Sequence, residues 1–174
     1  MQFLKYNRGA ASAALAVLVI LSVLLGVNRS VSSLAGKVED AYTDTQVQSD
    51  LTKYVGYARQ FAAAAEALYG KDAALTSAIE ELNGALTTPI GMGDRLDAVS
   101  TLAAAVYYKL NLDEKADETV KKSATAYFYE MQSTEMRLAN NEDYAGRANK
   151  YNDAIRGLPV SLLSPGRKPA ATFQ

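Results

Sequence analysis

Cysteine, histidine and tryptophan are all absent from the 174 residues. Without cysteine there are no disulfides, no thiolate zinc sites and no cysteine nucleophile, and the chain suits either side of a membrane. Without histidine it lacks the commonest general base and the commonest metal ligand. A carboxylate-bridged metal centre in a helical bundle also draws on Glu-x-x-His pairs. No catalytic residue, metal ligand or cofactor is therefore expected, and the only enzyme chemistry left open is carboxylate-dependent. An excess of either charge is missing too. Lys and Arg number 18 against 19 Asp and Glu, interspersed, so the net charge of −1 carries no nucleic-acid footprint.

Charge is missing altogether from one stretch, Gly9–Val27, where only Ser12 and Ser22 are polar. At about 1.5 Å per residue it makes a helix roughly 28 Å long, close to a hydrocarbon core of about 30 Å. Lipid leaves backbone groups no partner but each other, so helix is the only form available. Lys5 and Arg8 flank one end, and Asn28 and Arg29 the other, within reach of head groups. A transmembrane helix and a lipid bilayer as partner follow. A cleaved signal peptide is the alternative, with Ser33-Leu34-Ala35 offering small residues to a peptidase. The apolar run is longer than the roughly 7–15 residues of a typical h-region, however, and polar residues separate it from that site. A pilin-like subunit begins similarly but usually carries a carboxylate inside the apolar stretch; none is present. Lys5 and Arg8 balance Arg29 and Lys37 across the span. Signal-anchor insertion, with the remainder outside the cytoplasm, is the orientation expected.

Beyond the span, Val27, Val31, Leu34, Val38 and Ala41 alternate spacings of four and three, the seam of a helix packed on other helices. Leu51, Val55, Ala58, Ala62, Ala65 and Tyr69 continue it. The spacing predicts one helix from Gly9 to Tyr69, weakest near Ala41–Gln46 and stopped by Gly70. A second helix is expected over Lys71–Leu86. A third follows the Thr87–Gly93 turn, over Asp94–Leu110 with Asp94 as N-cap. The last and longest is expected from Asp113, as its cap, to Leu158. The chain thus divides into a basic flank (1–8), a transmembrane helix (9–27), a helical bundle (28–158) and an irregular tail (159–174).

Lengths suggest an arrangement. The first and last helices are comparable outside the span, so they are expected to run antiparallel, with the short pair as a hairpin on the distal half. The fold class is all-α: a transmembrane helix continuing into an elongated antiparallel four-helix bundle. Near the membrane only two helices remain. Val31, Leu34, Val38, Ala148 and Ile155 are therefore candidate contacts for a homo-oligomer, unless the pair satisfies itself. The tail is expected back at the bilayer, where Leu162 and Leu163 would enter the interface and Arg167 and Lys168 meet anionic head groups. An uncommitted tail is the alternative.

The last helix carries Gln132-Ser133-Thr134-Glu135-Met136-Arg137-Leu138-Ala139, then Arg147, Tyr151-Asn152 and Leu158-Pro159. This pattern resembles the LemA family of bacterial membrane proteins, whose members carry a "TEN-x-I-A" thread, an Arg followed by Tyr-Asn pairs, and a closing aromatic-Pro. Asn28-Arg29, Leu34 and Val38 are similar to the family's beginning. Two features depart: Met136 stands where the family tends to have Asn, and Gln48–Val55 replaces a basic "RR-x-x-L-I-P-N-L" stretch. The resemblance implies an N-terminal membrane helix and an elongated antiparallel bundle, and brings no established catalytic activity.

The remaining constellations read as surface. Glu80-Glu81, Glu130, Glu135 and Glu142-Asp143 suit solvated helix faces, and Glu66 has Arg59 and Lys71 at pairing distance. Among eleven tyrosines, Tyr108 and Tyr129 are expected to face outward, as rim or as a docking patch. Thr134, Asn141 and Asn152 are polar seam positions suited to setting register, although in a stalk Asn152 is equally able to face water. The function expected is a membrane-anchored scaffolding or interaction module for an unknown protein partner. A ligand-responsive sensor bundle is the alternative.

Overall fold

A computed structural model describes residues 8–173 of the chain, with side-chain surroundings from Ala11 onward. Its helices are α1 (Arg8–Asp44), α2 (Val47–Tyr69), α3 (Ala73–Ala85), α4 (Gly93–Leu112), α5 (Glu118–Ala139), α6 (Glu142–Arg156) and α7 (Val160–Leu163). No strand forms among the described residues, apart from one isolated antiparallel bridge between Ile90 and Ala170. The fold is all-α.

Each long rod is two helices, not one. The helix expected from Gly9 to Tyr69 breaks at Thr45-Gln46, inside the stretch expected to be weakest. Thr43, Asp44 and Thr45 are poor helix formers, and the two threonine hydroxyls turn back onto the chain. Thr43 Oγ1 donates to the Asp40 carbonyl at 2.9 Å and Thr45 Oγ1 to that of Ala41 at 2.6 Å. Gln46 then takes the left-handed conformation, φ 66° and ψ 5°, and α2 starts afresh.

The rod expected over Asp113–Leu158 breaks at Asn140-Asn141. Asn141 caps α6 by accepting from Tyr144 N–H at 3.1 Å, and Glu142 and Asp143 fill the first turn. Asn141 also donates its Nδ2–H to the Thr45 carbonyl at 3.1 Å, a group that the end of α1 leaves over. The breaks therefore face each other. Helices match tier by tier: α2 and α5 have 23 and 22 residues, and α6 has 15 against the 17 of α1 beyond Val27. At about 1.5 Å per residue those pairs run roughly 34 and 24 Å.

In the upper tier α2 packs along α5, with the α3–α4 hairpin against α2 and α5. In the lower tier α1 packs along α6 and α7. Phe61, Phe128 and Tyr144 are buried beside the predicted seam, in addition to Leu51, Val55, Ala58 and Ala65 on it. Caps shift slightly. Gly70, at φ 78°, closes α2, and Asp72 caps α3 by accepting from Leu75 N–H at 3.0 Å. Met92 precedes α4, leaving Asp94 in the first turn. Asp117, not Asp113, caps α5. Asp113 ends α4 and accepts from the Tyr69 hydroxyl at 3.0 Å.

Candidate functional site

The tail is the main departure from expectation. It starts beside the exposed apolar part of α1, where the Arg167 guanidinium donates to Asn28 Oδ1, and then runs back up the lower tier as an extended strap. Its length fits: Arg167 to Phe173 spans roughly 20 Å when extended, as does Asn28 to Tyr42 along α1.

Side chains on α6 hold the strap by its backbone. Tyr151 donates to the Lys168 carbonyl at 3.2 Å and Tyr144 to that of Ala171 at 2.8 Å. Asn152 accepts from Ala170 N–H at 2.8 Å and donates to the Ala170 carbonyl at 3.0 Å. On the other edge, Gly91 N–H donates to the Pro169 carbonyl at 2.7 Å and Ala171 N–H to that of Pro89 at 2.9 Å. Small residues make this close approach possible, and Gly91 has to be glycine. Its φ is 76°, and a Cβ there would sit 2.7 Å from Lys168 Cδ. Phe173 closes the strap against Tyr144, ring centroids 5.5 Å apart.

Behind the strap lies the joint. Tyr42 packs on Tyr144 at 6.4 Å and donates to the Leu86 carbonyl at 2.9 Å, which also accepts from Gln48 Nε2–H at 3.2 Å. Burial pushes the Tyr42 phenol up to about 12. Burial raises Tyr144 as well, with the neighbouring Tyr42 a second cause.

Two clefts flank the strap. The larger, about 600 Å³, is lined by Glu81, Asp94, Arg95, Arg156 and Lys168 among others, and Arg95 donates to the Gly91 carbonyl at 3.0 Å. The smaller, about 260 Å³, is bounded by Leu96, Asp97, Ser100, Glu135, Thr172 and Phe173. The Tyr54 hydroxyl is buried nearby without a hydrogen-bond partner; Glu135 and Ser100 face it outside bonding geometry. Burial first, and the Glu135 charge second, hold its phenol far above the ordinary range. Among the described residues no three acidic, histidine or cysteine side chains gather as metal ligands.

Comparison with protein-family models, curated proteins and solved structures finds no match for the chain. The site therefore has to be read from its own geometry.

The oligomer stripe is occupied by the chain itself. Val31, Val38 and Ala148 are buried, while Leu34 and Ile155 are half-buried against the same core. The strap and α7 cover what two helices alone would leave open, which removes the reason for expecting those five to meet a second copy. Of the membrane-interface set, Lys5 and the side chain of Arg8 lie outside the described residues. Arg29 and Leu162 are exposed and Leu163 half-buried. Arg167 bonds Asn28, and Lys168 lies along Gly91.

Asn152 neither faces water nor sets helix register, since it clamps the strap. Arg59 pairs with Glu80, at 3.0 Å, instead of Glu66. Tyr108 and Tyr129 do face outward. The strap contacts were missed because their partners lie 17 to 27 residues apart. The run of small residues after Pro169 was the available signal.

Proposed function

We propose that the chain is a single-pass membrane protein whose helical bundle serves as a scaffolding or interaction module. The observation that carries this reading is the contrast along α1. Leu15, Val17, Leu18, Val19, Ile20, Leu21, Val23 and Leu25 are exposed, whereas Val31, Val38, Ala41 and Tyr42 of the same helix are buried in the bundle. Leaving eight large apolar side chains in water is unfavourable by about 25 cal/mol per Å², and a bilayer removes that cost. Among the described residues this helix alone is long and apolar enough to cross a membrane.

Its continuity with the core also argues against a cleaved leader. Cleavage after Ala35 would strip Val31 and Leu34 from the lower tier. The bundle outside the cytoplasm remains our preferred orientation, and the LemA-like pattern over Gln132–Pro159 agrees with an anchored bundle. Burial of Val31, Val38 and Ala148 favours self-assembly through surfaces outside the stalk stripe. A sensor reading is favoured by one feature, the strap-lined cleft of about 600 Å³ beside the joint.

The test is membrane fractionation of the full chain followed by alkaline extraction and intact-mass measurement. Retention in the pellet at full mass is expected. Extraction into the supernatant, or a mature form starting after Ala35, refutes the anchor.

A further inference from the structure

Beyond the span itself, α1 does not leave the bilayer alone. Val27, the last apolar residue of the run, packs against the bundle core, and Leu24 one turn earlier is half-buried. What reaches that far down is the corner between α6 and α7, which contacts α1 and ends at the Arg167–Asn28 bond. Val160 faces inward on this corner and is buried.

The opposite face of the corner is apolar and uncovered. Leu158 is 77% exposed and Leu162 74%, more than Leu25 within the span at 70%. They flank the buried Val160, one in the turn before α7 and one within it. Ser161 and Pro159 beside them are exposed as well, and Arg29 supplies a cation at the same end of the molecule.

We propose that this corner is a second membrane contact: Leu158 and Leu162 enter the acyl–head-group boundary next to the span, and Arg29 beside them meets anionic head groups. It rests on α1 crossing the bilayer and adds a claim about posture. A single helix leaves a bundle free to tilt and spin about it. A second apolar foothold, fixed to α1 through Val160 and Arg167, holds one face of the lower tier toward the lipid.

The choice of lipid over a second copy follows from placement. Asn28 is the first polar residue after the apolar run, and Arg167 touches it. Leu162, exposed five residues before Arg167 and just ahead of where the tail doubles back, shares the depth at which head groups begin.

Because the chain has no cysteine, single labels are clean. Leu158→Cys, Leu162→Cys, Leu18→Cys and Tyr108→Cys, each carrying an environment-sensitive fluorophore, are reconstituted full-length in nanodiscs of zwitterionic and anionic lipid. Nitroxide lipids labelled near the head group, and in a parallel series near the end of the acyl chain, then serve as quenchers. Quenching and a blue shift at 158 and 162, none at 108, and stronger quenching with anionic lipid are expected. Quenching at 18 but not at 158 or 162 overturns the second contact while leaving the anchor intact. No quenching at 18 overturns the anchor itself. Labels at 158 or 162 that self-quench with concentration in the disc, without lipid quenching, assign the corner to a second copy and also overturn the proposal.

Discussion

Replacing Gln46 by glycine separates a broken rod from a continuous one by the sign of the effect. Gln46 is exposed, so the change acts on backbone alone. Inside an unbroken helix, glycine costs about 0.5–1 kcal/mol relative to an ordinary residue. At φ 66° the balance reverses, because a non-glycine side chain in the left-handed region costs about 1–2 kcal/mol that glycine does not. Against this stands the greater freedom glycine gives the unfolded chain, about 0.4–1 kcal/mol. The net expectation is stabilisation of about 0.5–1 kcal/mol, where a continuous helix predicts loss of the same size.

The assay is thermal unfolding of the full chain in detergent, followed by far-UV circular dichroism. For a chain of this size a gain of about 1 kcal/mol moves Tm up by roughly 2–4 °C. Gln46→Ala supplies the control: it raises stability if the helix runs through and does not if the residue is left-handed. A fall in Tm for the glycine variant together with a rise for the alanine variant would refute the break, and with it the facing of Thr45 and Asn141.

Other expectations follow from single contacts. Asn152→Ala removes two buried bonds to Ala170, worth together about 2 kcal/mol, and should speed tryptic cleavage after Arg167 by about 30-fold; an unchanged rate refutes the clamp. Tyr54→Phe deletes a buried hydroxyl without a partner and should raise the urea midpoint by an amount equal to about 1 kcal/mol, whereas a fall would show that the hydroxyl is bonded. Tyr42, Tyr54 and Tyr144 all have phenols raised above the unfolded-chain value of about 10, so their contribution is intact below about pH 10 and is lost as pH rises above it. With three protons held only by the fold, stability should fall by about 4 kcal/mol per pH unit there; a urea midpoint flat between about pH 10 and pH 11 refutes this.

The helical class and the antiparallel pairing were legible because apolar spacing survives small errors of register. Leu51, Val55, Ala58, Ala65 and Thr134 were placed on the seam by spacing and are buried. The breaks were not legible by spacing, since a brief interruption, left-handed at Gln46 and extended at Asn141, leaves the four-and-three alternation on either side intact. Their local chemistry was there to read: Thr43-Asp44-Thr45 at one, and Asn141 ahead of Glu142-Asp143, a helix start, at the other. Strap docking was out of reach. A bond from Asn152 to the backbone of Ala170 depends on where the chain turns, and the sequence pattern around Pro165-Gly166 says only that it does turn.

The residues on which the LemA resemblance rests share a physical role that their identities alone do not suggest. Thr134 donates to the Glu130 carbonyl and accepts from Arg137, binding one turn of α5 together. Arg147 pairs with Asp143 and reaches the Lys37 carbonyl across the lower tier. Tyr151 and Asn152 hold the strap, and Leu158-Pro159 forms the corner from which it starts. Groups that carry out chemistry converge on a pocket with polar atoms left free. The polar atoms here are taken up by backbone and by neighbouring side chains, which is what fixing a shape requires. Asp97, Ser100 and Glu135 stand elsewhere, around the buried Tyr54 hydroxyl, where the strap ends and the upper tier begins.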